Sequence, residues 1–204
     1  MKFTTTKKNI LATISNAERF TGKQITLPIL QLVLLETRGT VCVVKATNLE
    51  IGLEASFSCK TEQDGTTAIP PRLLLGILQH TQEDSILFEL KQKTLSIGTK
   101  TSNTKLNTAS TEEFPLIPKI KTTNSFVISR MSFINALEQV LPAVSFSDFK
   151  PEICGVYLFV SGKNIVLTTT DTFRLAEKKI YLEKEAKNKL FCIIPLKMAQ
   201  EIVR

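Results

Sequence analysis

Moved along itself by 123 positions, this chain falls back into register. Phe3 lands on Phe126, Thr6 on Ser129, Pro28 on Pro151, Gly39 on Gly162, Thr47 on Thr170 and Asn48 on Asp171, with no gap over roughly fifty residues. The apolar pattern travels with these landmarks. Ile10, Leu11, Ile14 and Ala17 form one face of a predicted helix, and Phe133, Ile134, Leu137 and Val140 form the same face one repeat later. Lys7, Lys8, Thr13 and Arg19 stand on the polar side of the first helix; Arg130, Asn135, Glu138 and Gln139 stand on that of the second. A period this long constrains the fold strongly, because it predicts one supersecondary unit written twice.

After each helix the pattern changes to strands. LVLLET, a turn at Arg38-Gly39 and TVCVVKA in the first copy match VYLFV, Ser161-Gly162-Lys163 and NIVLTTT in the second. Two β-rich runs around a glycine-containing turn predict an antiparallel hairpin. A third strand is expected around IGLEASF and RLAEKKIYL, followed by a short one. An Ile-Pro step then recurs at Ile69-Pro70 and Ile194-Pro195, where proline's fixed φ suits the opening of a helix. The apolar runs Leu73–Leu78 and Met198–Val203 supply that second helix. In the first copy SILFEL and TLSIGT add strands, Leu106 lies on a further polar strand, and PLIPKIKTTN has the composition of a linker. The predicted class is α+β: repeated domains, each with two helices packed on one face of an antiparallel sheet. The boundaries are 1–120 and 125–204. The second copy stops just inside its second helix, so the chain reads as cut short.

The single histidine, His80, has no nucleophile or base patterned around it, and neither a GxxxxGK[ST] nor a GxGxxG loop is present. Asp171 follows three threonines, but Asn48 holds its place in the first copy, which points to a repeated structural turn instead of a catalytic acid. No catalytic residue is assigned. Cys42, Cys59, Cys154 and Cys192 lie far apart without CxxC spacing; the expectation is reduced thiols, no metal and no cofactor. The apolar runs fall short of the roughly 18 residues of a membrane span, and the first residues lack a secretory signal, so a cytoplasmic protein is expected. Lys and Arg exceed Asp and Glu by 26 to 19, a balance that favours phosphate-bearing partners.

Seven motifs in order carry a resemblance over nearly the whole chain: MKFT at the start, TLPIL at Thr26–Leu30, ATNLEIG at Ala46–Gly52, IPPR at Ile69–Arg72, EEFP at Glu112–Pro115, TDTFRLA at Thr170–Ala176 and CIIPLK at Cys192–Lys197. Together they resemble the β subunit of bacterial DNA polymerase III, the sliding clamp. That resemblance implies the DNA-clamp fold and a non-catalytic accessory role: a ring of two protomers, each of three such domains, that encircles double-stranded DNA. The third domain would be absent here. It also implies DNA-facing positions at Arg72, Lys197, Lys23 and Lys150, for each of which the alternative is a solvated surface charge. Gln24 stands where the family's usual basic residue would be. Short tails of the polymerase III α subunit and the clamp loader would enter a pocket walled by Ile153, Thr170, Thr172, Phe173, Arg174 and Leu175. Thr172-Phe173 replaces the family's Gly-His pair, so the preferred peptide is expected to differ. The homodimer contact would involve Leu73, Ile77 and Leu106, the first two reading equally as core. The alternative is an adaptor or inhibitor of clamp fold that binds partner peptides without encircling DNA.

Overall fold

The computed structural model describes residues 1–22, 27–118, 125–146 and 150–204. Strand β1 (Lys2–Thr6) runs directly into helix α1 (Lys7–Glu18), and Thr6 is the hinge between them. Its extended backbone leaves Oγ1 free to accept the Asn9 N–H at 3.4 Å, an N-cap on the first turn. α1 buries Ile10, Ile14 and Ala17 as its periodicity predicts. Thr13 corrects the sequence reading, because it is buried rather than on the polar side. Its hydroxyl donates to the Asn9 carbonyl at 2.9 Å, so the polar atom is satisfied within the helix and the residue can face inward.

Five strands follow: β2 (Val33–Arg38), β3 (Val41–Thr47), β4 (Gly52–Ser58), β5 (Lys60–Gln63) and β6 (Gly65–Ile69). Then come α2 (Pro71–His80), β7 (Ser85–Lys91), β8 (Thr94–Gly98) and β9 (Asn103–Asn107). Pro71 sits in the first turn of α2, where its missing N–H costs nothing. The strands form two antiparallel sheets, β4-β3-β2-β6 and β5-β1-β7-β8-β9, where the sequence suggested a single one. The difference arises from β1 and β5, whose sequences KFTTT and KTEQ lack the apolar alternation that marks a strand. They are fixed by pairing: Phe3 lies opposite Phe88 of β7 and stacks on it, with centroids 4.8 Å apart and planes 7° from parallel. α1 packs on α2 and on β3 and β4. These elements make one compact unit, Met1–Lys119.

The second unit, Ile120–Arg204, repeats the local decisions of the first. α3 (Arg130–Val140) is capped by Ser129, the residue equivalent to Thr6, which accepts the Ser132 N–H at 3.5 Å. β10 (Gly155–Ser161), β11 (Asn164–Thr170), β12 (Leu175–Tyr181) and β13 (Leu190–Pro195) pair in the order β12-β11-β10-β13, the counterpart of β4-β3-β2-β6. α4 (Leu196–Val203) follows β13. Gly39 and Gly162 turn the two hairpins with the same φ of +60°, a conformation that costs a side-chain-bearing residue more. Ala136, Leu137 and Val140 of α3 close on Val156, Leu158, Val160, Ile165 and Leu167, with Phe126 and Ile128 packed against this core. Each fully buried residue of that size contributes about 1.5–3 kcal/mol.

Candidate functional site

The loop after β11 is built by side chains that reach back to their own backbone. Thr170 Oγ1 donates to the Arg174 carbonyl at 2.8 Å and accepts the Thr172 N–H at 3.1 Å. Asp171 Oδ1 accepts the N–H groups of Phe173 (3.0 Å) and Arg174 (2.9 Å), and Oδ2 meets Arg174 Nε at 2.8 Å. The same construction stands one repeat earlier. Thr47 Oγ1 donates to the Ile51 carbonyl and accepts the Leu49 N–H, while Asn48 Oδ1 accepts from Glu50 and Ile51. Leu49 and Thr172 even share a positive φ, 76° and 77°. Asp171 is therefore the hub of a structural turn. The Arg174 N–H, then the Arg174 guanidinium and the Phe173 N–H, hold its carboxyl below the ordinary value.

This turn displays side chains instead of enclosing them: Phe173 is 96% exposed and Leu175 68%. Antiparallel pairing places Thr170 opposite Leu175, and β10 begins beside them at Gly155, two residues after the half-buried Ile153. Ile153, Thr170 and Leu175 thus gather at one end of the sheet, with Thr172, Phe173 and Arg174 on the turn above. Pattern reading missed the continuation of this outer face. Tyr157 of β10 lies opposite Ile193 of β13, and Phe159 lies opposite Phe191. The signal was present in VYLFV, which is apolar at every position where a half-solvated strand would alternate.

Arg72 is the second residue of α2 and Lys197 the second of α4, at the same offset as the two Ile-Pro steps. Arg72 is largely exposed, its Nε held 2.9 Å from Glu18 Oε1 of α1, and it borders a cavity of about 460 Å³ with Thr21, Gly22, Gln31 and the Pro70-Pro71 pair. Lys197 is half-buried; Lys150 is exposed before the 3-10 turn Pro151–Ile153. Lys23, with Gln24 and Thr26, lies outside the described residues. Lys7 has a local task that the sequence did not reveal: its Nζ donates to the Thr81 carbonyl at 2.5 Å, at the C-terminal end of α2.

Leu73 is 57% exposed and Ile77 half-buried, one turn apart on α2. The core reading of Leu73 is thereby overturned. Leu106 needs a correction as well. Its side chain is only 7% exposed and lies opposite Leu95 of β8, so it belongs to the core of its own unit. Among the described residues β9 is an edge strand of its sheet, with Asn103, Lys105 and Asn107 exposed.

Among the described residues no group of His, Cys, Asp and Glu is placed to hold a metal. Burial pushes the Cys42 thiol up to about 12, far from a reactive thiolate. No helix of the described residues is long and apolar enough to cross a membrane.

Residues 1–118 match the family model for the DNA polymerase III beta subunit, N-terminal domain, and residues 127–204 match that for its central domain. The beta sliding clamp of Helicobacter pylori is 26% identical over all of this chain and 56% of its own length. The crystal structure of the Bacillus subtilis DNA polymerase sliding clamp superimposes with a TM-score of 0.94 at 22% identity, over 100% of this chain and 56% of that one. A Helicobacter pylori beta clamp bound to a DNA ligase peptide gives 0.86 at 22% identity, over 100% and 58%. The α+β fold read from the sequence is thus that of sliding clamps. The chain spans about half the length of the relatives that it matches.

Proposed function

The chain belongs to the DNA polymerase III beta subunit family, and on that premise we propose that it serves as part of a DNA sliding clamp, a processivity factor without catalytic activity. The observation that carries this reading is the duplicated unit itself, matched along its length by the family's first two domains in order. In this role the protein works as a homodimeric ring around double-stranded DNA and belongs to the polymerase III holoenzyme of the bacterial cytoplasm. Arg72 and Lys197 on helices, with Lys150 and Lys23 as further basic positions, meet phosphates without reading bases, so the ring slides and retention comes from closure. Arg72 keeps part of its charge engaged with Glu18, which suits weak contacts.

Ile153, Thr170, Thr172, Phe173, Arg174 and Leu175 form the docking place for tails of the polymerase α subunit and the clamp loader. An apolar side chain of the tail meets Ile153 and Leu175, and Arg174 fixes its orientation. Leu73 and Ile77 on α2 form the contact to the other protomer. A primer-extension assay with the cognate polymerase and loader tests the proposal. Longer products at limiting polymerase are expected on adding this protein, with the gain lost in Leu175→Asp; unchanged product length contradicts a processivity role.

A further inference from the structure

The turns Thr47–Ile51 and Thr170–Arg174 are built alike, and the place where their chemistry parts singles out Asp171. In the first unit Asn48 Oδ1 accepts the Glu50 N–H at 3.2 Å and the Ile51 N–H at 2.9 Å. In the second, Asp171 Oδ1 accepts from the equivalent Phe173 and Arg174 at 3.0 and 2.9 Å. Leu49 and Thr172 stand at the same positive φ, so the amide restrains the same unfavourable backbone as the carboxylate does. One side-chain oxygen therefore closes this turn, and an amide supplies it as well as an acid. The acid adds a second acceptor oxygen and a charge, and the turn itself uses neither.

Both go to Arg174. Oδ2 accepts from Nε at 2.8 Å, in an ion pair whose carboxylate is the more buried partner. In the first unit that position is Ile51, a buried apolar residue with no call for a carboxylate. Acid and guanidinium thus occur together, in the second turn only. Arg174 is also fixed at its backbone: its N–H donates to Asp171 Oδ1 and its carbonyl accepts Thr170 Oγ1 at 2.8 Å. The side-chain bond runs through Nε, which leaves the Nη donors at the tip for an oxygen acceptor. A long side chain that samples many rotamers loses that freedom on binding, whereas one already held loses less.

We infer that Asp171 is a positioning residue, which holds the Arg174 guanidinium so that its Nη donors meet a carbonyl or carboxylate oxygen of a docked tail. Asp171 acts on the tail only through Arg174. This role rests on the reading of the turn as a docking place for polymerase and loader tails, and it adds a residue outside the docking set named above.

Asp171→Asn, Arg174→Ala and the double variant test it against the wild-type protein. The probe is a synthetic peptide with the sequence of the cognate polymerase α subunit's tail, titrated by calorimetry. Asparagine keeps the acceptor that Asn48 uses, so the turn stays closed, and thermal unfolding checks that it does. Asp171→Asn should bind the peptide about threefold more weakly while Arg174 is present, and should cost nothing further in the Arg174→Ala background. A second measurement needs no peptide. The Arg174 Nε–H, followed by nuclear magnetic resonance, should exchange slowly with water in the wild type and rapidly in Asp171→Asn. Equal affinity of Asp171→Asn and wild type overturns the positioning role and leaves the docking reading standing. So does an equal loss in both backgrounds, because Asp171 would then act through the turn and not through Arg174. Rapid exchange of the Nε–H in the wild type also overturns it. A wild-type protein that binds no tail peptide refutes the docking reading itself, and the positioning role falls with it.

Discussion

Replacing Asp171 by alanine and by asparagine separates the two things this residue does. Alanine removes the acceptor for the Phe173 and Arg174 N–H groups and the partner of Arg174 Nε. The turn lies at the surface, so water replaces part of what is lost. The cost resembles that of deleting a helix N-cap, about 1–2 kcal/mol. Asparagine keeps Oδ1 and forfeits only the ion pair, as Asn48 does in the first unit, so its cost should stay within about 0.5 kcal/mol. Both tyrosines lie in the second unit and the chain has no tryptophan, so tyrosine fluorescence during urea unfolding reports that unit alone. With a slope of about 1 kcal/mol per molar urea, Asp171→Ala should lower the midpoint by about 1–2 M and Asp171→Asn by about 0.5 M or less. Acid adds an independent check. A carboxyl whose folded pKa is depressed contributes stability that is present above its unfolded value of 3.8 and lost as the pH falls through the folded value. The wild-type protein should therefore lose more stability than Asp171→Asn between pH 5 and the acid limit. Equal damage from the two substitutions would refute the reasoning, since the charge pair and not the N–H bonds would then hold the turn.

Gly155→Ala would place a Cβ 2.5 Å from the Ile194 carbonyl and 2.7 Å from Ile193 Cγ2, so thermal unfolding should show a loss of about 1–3 kcal/mol through strain between β10 and β13. Thr67 Oγ1 is buried without a hydrogen-bond partner among the described residues; Thr67→Val should be neutral or stabilising by about 1 kcal/mol in chemical denaturation. On DNA, Arg72→Ala and Lys197→Ala should each lower the slope of log K against log salt by about 0.9, equally for unrelated sequences, measured by anisotropy titration at several salt concentrations.

Much of the fold was legible because the repeat fixed it twice. The turn glycines Gly39 and Gly162 and the loops at Asn48 and Asp171 are decided within a few residues, so local sequence suffices to read them. Elements stabilised across the fold were harder. β1 and β5 are polar strands that exist through pairing with distant partners, and Thr13 turns inward because a backbone carbonyl four residues back accepts its hydroxyl. Leu106 looked like a lone apolar contact on a polar strand, but alternation puts it inside, with its polar neighbours outward.

Topological retention on DNA tests the clamp assignment most directly. The protein is loaded with clamp loader and ATP onto nicked circular DNA, passed through a sizing column at high salt, and compared with the same DNA after linearisation. Retention on the circle and loss from the linear form is the predicted result. Equal behaviour on the two forms contradicts the ring and favours a clamp-fold adaptor that holds partner peptides alone.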